Sequence, residues 1–250
     1  MLLTGKTAVI SGAASKRGIG LATARLMAEQ GARIAILDLD RAAAAEAAST
    51  LPGAGHIGLA CDVTRLEACH AAAKEVLAAF HHVDILVNNA GITQPIKFLD
   101  IKPENYDAVM DVSLRGMLYL SQAFIPSMKA NGGSIICMSS VSAQRGGGIF
   151  GGPHYSGAKA GVLGLAKAMA REFGPFAIRV NCITPGLIQT DITAGKLTDA
   201  MRADILKGIP LNRLGEPKDV AGVCLFLASD LSSYLTGTAI DVNGGMLIHG

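Results

Sequence analysis

Short apolar runs alternate along the chain with longer stretches of helical periodicity. The runs fall at residues 7–10, 33–37, 57–61, 85–87, 134–138, 179–183 and 239–242. They are rich in Ile and Val and scarcely alternate in polarity, which predicts strands buried on both faces. Helical spacing predicts helices at about 19–30, 41–50, 65–80, 103–129, 155–173 and 217–228. Lys102-Pro103 and Glu216-Pro217 are suitable helix starts, because proline in the first turn sacrifices no helical hydrogen bond. Strand–helix alternation with short links implies a parallel sheet covered on both sides. The expected fold is therefore α/β, a single doubly wound domain over residues 1–250. The long irregular stretch at 186–212 is expected to be a substrate lid.

Composition narrows the picture. Half of the 250 residues are hydrophobic and 17% are charged, enough for one sizeable core. A net charge of +2 with no basic run argues against nucleic acid as a partner. Charged or turn residues interrupt every apolar run before membrane-spanning length, and no basic n-region precedes an apolar segment at the start. Five cysteines without C-x-x-C spacing read as reduced thiols of a cytoplasmic protein. The six histidines show no metal-ligand spacing, so no metal is expected.

The chemistry begins where the first strand runs into a glycine-containing loop and a helix. Gly12, Ser15, Arg17, Gly18, Ile19 and Gly20 are the candidate pyrophosphate cradle. Glycine permits sharp turns and close backbone approach, and a helix N-terminus offers unpaired N–H groups to an anion. Asp38 ends the second strand, where a carboxylate binds ribose hydroxyls and repels a 2′-phosphate, favouring NAD. Asp62-Val63 and Asn88-Asn89-Ala90-Gly91 follow the third and fourth strands, at the sheet edge where such folds bind ligands. Two readings of Asp62 stand: a cofactor contact, or a helix cap shared with Thr64.

Tyr155 and Lys159 lie four residues apart on a predicted helix and so share a face. An ammonium beside a phenol favours phenolate, and a cationic oxidised nicotinamide would push the same way, so Tyr155 is the candidate acid/base. Ser139, Ser140 and Ser142 follow the fifth strand, and a hydroxyl there would donate to a substrate oxygen. Thr184-Pro185-Gly186 follow the sixth strand, with Ile188 and Thr190 beyond; this turn would support the nicotinamide and Thr190 its carboxamide.

In combination and order these motifs resemble the short-chain dehydrogenase/reductase family over essentially the whole chain. The matching pieces are the Gly12/Gly18/Gly20 loop, Asp62, Asn88-Asn89-Ala90-Gly91, Ser140, Tyr155-x-x-x-Lys159, Pro185-Gly186 and Asn243-Gly244-Gly245. The resemblance implies a Rossmann-type domain with a seven-stranded parallel sheet, usually tetrameric. It implies Tyr155 as acid/base, Lys159 binding the nicotinamide ribose and tuning Tyr155, and Ser140 orienting substrate. Three features depart from the family. Five residues, including Lys16 and Arg17, separate the first two loop glycines where three are usual. Ser113 stands where an Asn is expected. Ser142 meets the family's usual spacing to Tyr155, whereas Ser140 meets its strand-end pattern, and the strand-end position is preferred.

The expected substrate wall comprises Gln94, Gln144, Arg145, Ile149, Phe150, His154, Leu187, Ile188 and Gln189. With Ser140, Ser142 and Tyr155, the polar members Gln144, Arg145 and His154 suit a polyol, sugar or hydroxy acid. The alternatives are a β-ketoacyl thioester reductase and a non-catalytic dinucleotide sensor. Small or apolar residues on several faces of the 103–129 and 155–173 helices predict a homo-oligomer.

Overall fold

The computed structural model describes residues 1–191, 195 and 197–249. The apolar runs form β1 (Thr7–Ser11), β2 (Arg33–Asp38), β3 (Ile57–Ala60), β4 (Ile85–Asn88), β5 (Gly133–Met138), β6 (Ile178–Pro185) and β7 (Ala239–Val242). All pair in parallel, in the order β3-β2-β1-β4-β5-β6-β7. Val9, Leu37, Leu86 and Val180 pack into one apolar layer, whereas Ile10, Ile36, Val87 and Ile183 pack into another. Burial on both faces explains why most of the strands lack polar alternation.

Helices α1 (Ile19–Glu29), α2 (Arg41–Ser49) and α9 (Pro217–Ala228) cover the second layer. The first is covered by α3 (Leu66–Phe80), α5 (Gly116–Met128) and α7 (Pro153–Phe173). The expected 103–129 helix comprises α4 (Pro103–Met110), a π-helical turn (Asp111–Arg115) and α5. Ser142–Arg145 form a further short helix, α6.

The irregular reading of 186–212 is corrected by α8 (Asp199–Lys207). Thr198 caps it by accepting the Met201 N–H at 3.2 Å, with Asp199 in its first turn and Lys207 in its last. These local signals start and close a helix despite a weak apolar pattern. Residues 192–194 and 196 of the expected lid lie outside the described residues. Among the described residues, no helix is long and apolar enough to cross a membrane.

The strand order reverses between β1 and β4, leaving a crevice at their carboxyl ends. That crevice positions the site.

Candidate active site

A cleft of about 810 Å³ opens along these strand ends. Its glycine-loop side is built by close approach. Gly12 has φ +63°, and a Cβ there would lie 2.8 Å from the Ala90 Cα. A Cβ on Gly20 would meet the Asn89 side chain at 2.7 Å. Asn89 donates to the carbonyls of Ser11 and Gly12, both at 2.9 Å, so its amide clamps the loop to β4. Gly18 precedes α1 and supplies no side-chain cap. Gly18 and Ile19 line the cleft beside Ser15 and Gly12, while Gly20 and Arg17 are not part of the lining. Arg17 is exposed, and its backbone N–H donates to Asp191 at 3.2 Å.

Asp38 faces the cleft, accepting the backbone N–H groups of Ala14 and Leu39 at 2.9 and 2.8 Å. Lys16 pairs with Glu46 of α2 at 3.2 Å. Asp62 accepts both the N–H and the hydroxyl of Thr64, at 3.0 and 2.7 Å, as a local turn demands. Asp62 and Val63 nevertheless line the cleft with Asn89, Ala90, Gly91, Pro185, Gly186, Ile188 and Thr190. The glycine approach, the uncapped helix N-terminus and the strand-end acid fit a nicotinamide dinucleotide.

On the opposite side of the strand reversal, Ser140, Tyr155 and Lys159 line the cleft. Lys159 is buried and donates to the Met138 carbonyl at 2.7 Å, while Ser139 donates to the Lys159 carbonyl. Burial lowers the Lys159 pKa to about 8. Its Nζ lies 5.9 Å from the Tyr155 ring centroid. Burial raises the Tyr155 pKa, and a hydrogen bond with Ser140 opposes that shift. The direction differs from the expected lowering: burial of the phenol is the largest effect, and the Ser140 hydrogen bond is the one that opposes it. Of the two candidate serines, Ser142 spends its hydroxyl on the Gly147 carbonyl at 2.5 Å, leaving Ser140 beside Tyr155.

Four expected wall residues, Gln94, Gln144, His154 and Gln189, are not part of the cleft lining. Gln144 donates to Asp241 at 2.9 Å, and buried His154 pairs with Gln94 at 3.2 Å. Burial lowers the His154 pKa. Gln189 bonds Arg202 instead of facing substrate space. The wall is consequently more apolar than expected: Ile149, Phe150, Leu187 and Ile188 remain, joined by Ile92, Ile205 and Met246. Thr93, Ser142 and the exposed Arg145 and Asp204 are its polar members.

Sequence reasoning missed Ile205 and Met246 because they arrive from distant segments. It also missed Gly151, where a Cβ would lie 2.6 Å from the Tyr155 ring; the Gly146–Gly152 richness was the available signal.

Ser113 sits in the π-helical turn, 2% exposed. Its hydroxyl and the Asn88 Oδ1 have no hydrogen-bond partner among the described residues, and both residues line a cavity of about 10 Å³, the size of one water. A Cβ on Gly91 would stand 3.1 Å from the Lys159 Nζ and 3.5 Å from the Ser113 Oγ. Among the described residues, no cluster of three or more His, Cys, Asp or Glu side chains is arranged to hold a metal.

Residues 12–247 match a family model described as Enoyl-(Acyl carrier protein) reductase. An uncharacterized short-chain type dehydrogenase/reductase of Sinorhizobium fredii is 68% identical, covering 100% of both chains. A 3-oxoacyl-[acyl-carrier-protein] reductase of Chlamydia trachomatis is 41% identical over 98% of each chain. An L-rhamnose 1-dehydrogenase (NAD(P)(+)) of Azotobacter vinelandii is 40% identical, covering 100% of this chain and 99% of that one. A crystal structure of a short-chain type dehydrogenase/reductase from Mycobacterium marinum superposes with TM-score 0.91 at 34% identity, covering 99% and 97%.

Proposed function

Because the chain belongs to the short-chain dehydrogenase/reductase family, we propose that it interconverts a secondary alcohol and a ketone with NAD(H), acting on a small polar substrate. The observation that carries this reading is the convergence of Ser140, Tyr155 and Lys159 in the cleft that Asp38 also lines.

The bound dinucleotide would accept or supply the hydride and, when oxidised, bring a second positive charge near Tyr155. In reduction, Ser140 donates a hydrogen bond to the carbonyl oxygen, and Tyr155 gives its proton to that oxygen as the C–H bond forms. The raised Tyr155 pKa keeps the phenol protonated, as this direction needs. In oxidation, Tyr155 takes the hydroxyl proton as the C–H bond breaks. Lys159 holds the ribose and supports the phenolate.

Among polyols, sugars and hydroxy acids, a hydroxy acid suits the wall best. Gln144 and His154 are engaged elsewhere, leaving Arg145 as the exposed cation of a largely apolar wall that also carries Thr93, Ser142 and Asp204. The second reading, a β-ketoacyl thioester reductase, draws on the apolar wall and the 41%-identical relative's name. Asp38 counts against it, because such reductases commonly use NADP. Five buried free cysteines suit a reducing, cytoplasmic setting.

A panel of hydroxy acids, polyols, sugars and a β-ketoacyl thioester, run with each cofactor and followed by nicotinamide absorbance, tests these readings. NAD(H) should give the higher kcat/KM, and Asp38→Ser should narrow the gap. A wild-type preference for NADP(H) overturns the cofactor assignment. Dinucleotide binding without turnover of any compound would favour a non-catalytic sensor.

A further inference from the structure

The glycine loop already holds an anion of the protein's own. The Ser15 hydroxyl donates to Asp191 Oδ2 at 2.6 Å, and the Arg17 backbone N–H donates to the same oxygen at 3.2 Å. These partners are 176 and 174 residues apart in sequence. Asp191 follows the β6 turn; it lines the cleft with Ser15, Gly18 and Ile19, at the start of α1. The Ser15 hydrogen bond first, then the Arg17 N–H and guanidinium, hold the Asp191 carboxyl below its usual range, so it sits there ionised. Lys16 is paired with Glu46.

We propose that Asp191 occupies the anion site of the glycine loop in the free protein and yields it to the dinucleotide's pyrophosphate, so that this residue sets cofactor affinity. The inference rests on the dinucleotide reading above. A hydroxyl, a loop N–H and a helix N-terminus are the donors a pyrophosphate needs. Two anions cannot share them without mutual repulsion, so cofactor entry breaks the Asp191 contacts. Because Asp191 is exposed, the contact is weak enough to exchange.

Fluorescence titration of the substrate-free protein tests this with NADH or NADPH, whichever binds more tightly, and with inorganic pyrophosphate as competitor. Asp191→Asn keeps the shape and removes the charge. It should lower the dinucleotide Kd by roughly threefold to tenfold, the scale of one exposed charge-assisted contact, and strengthen pyrophosphate competition. In a Ser15→Ala background the same substitution should have a smaller effect, because part of the contact is already gone. An unchanged or raised Kd in Asp191→Asn overturns the inference while leaving the dinucleotide reading intact. Failure of the wild type to bind either dinucleotide overturns both.

Discussion

At the scale of single residues, burial sets the chemistry of the site. Tyr155 is a phenol kept protonated by its surroundings. Tyr155→Phe preserves the ring and removes the proton carrier, so kcat should fall at least ~100-fold, the lower end of general acid/base effects. Dinucleotide titration should stay near wild type. Wild-type turnover in this variant, with chemistry shown to be rate-limiting by a deuterium isotope effect, would contradict the mechanism. Burial of the Lys159 ammonium costs stability. Its pKa is about 8 in the fold against an ordinary 10.5. A folded-state pKa below the unfolded one means that the unfolded chain binds the extra proton between those values. Stability therefore rises with pH from about 8 to 10.5, and the full penalty, roughly 3 kcal/mol, applies below 8. Lys159→Met should abolish turnover, flatten that rise and leave Tm at pH 6.5 equal to or above wild type. A Tm drop beyond about 4 °C would show that the bond to the Met138 carbonyl outweighs the cost of the buried charge.

At the scale of elements, backbone proximity decides what each segment tolerates. The π-helical turn between α4 and α5 brings Ser113 to the Gly91–Lys159 contact, which an uninterrupted helical reading of 103–129 does not anticipate. Such turns arise where one extra residue is taken into a helix. Among the described glycines, Gly58 of β3 is the most tightly enclosed: a Cβ would fall 2.2 Å from the Ala44 carbonyl carbon and oxygen in α2. Neither backbone can yield locally, so Gly58→Ala should displace α2 and destabilise the protein by roughly 1–3 kcal/mol, the range for overpacking. A urea midpoint unchanged from wild type would refute this. Because α2 follows the strand that ends in Asp38, dinucleotide affinity should weaken in the same variant.

At the scale of the whole molecule, one face of α7 presents Gly157, Ala160, Gly164 and Ala168 to the exterior, and a Cβ on Gly164 would meet nothing within 4 Å. Phe98, Leu99 and Tyr106, before and within α4, are also exposed. We expect these surfaces to pair in a homo-oligomer, a dimer through one isologous contact and a tetramer through two. Sedimentation at micromolar concentration should show a multiple of the 25.7 kDa chain, and Gly164→Arg should shift it towards monomer. A wild-type species at monomer mass alone would remove this expectation.

The chain's periodicity was sufficient to predict the seven strands, their parallel pairing and the principal helices, because burial on two faces constrains each segment locally. The positions of Gly12, Asp38, Ser140, Tyr155 and Lys159 were legible for a related reason: strand ends and one helical turn place them with little help from distant sequence. Helix α8 was hidden because its capping residues outweigh a weak apolar pattern. Tertiary structure alone decided which polar groups remain available. Gln144 is drawn to Asp241, His154 to Gln94 and Ser15 to Asp191, across separations of 97, 60 and 176 residues. A side chain's residue type states which bonds it can make. Only the packed fold brings up the competing partner that satisfies it, and burial then makes leaving that partner costly.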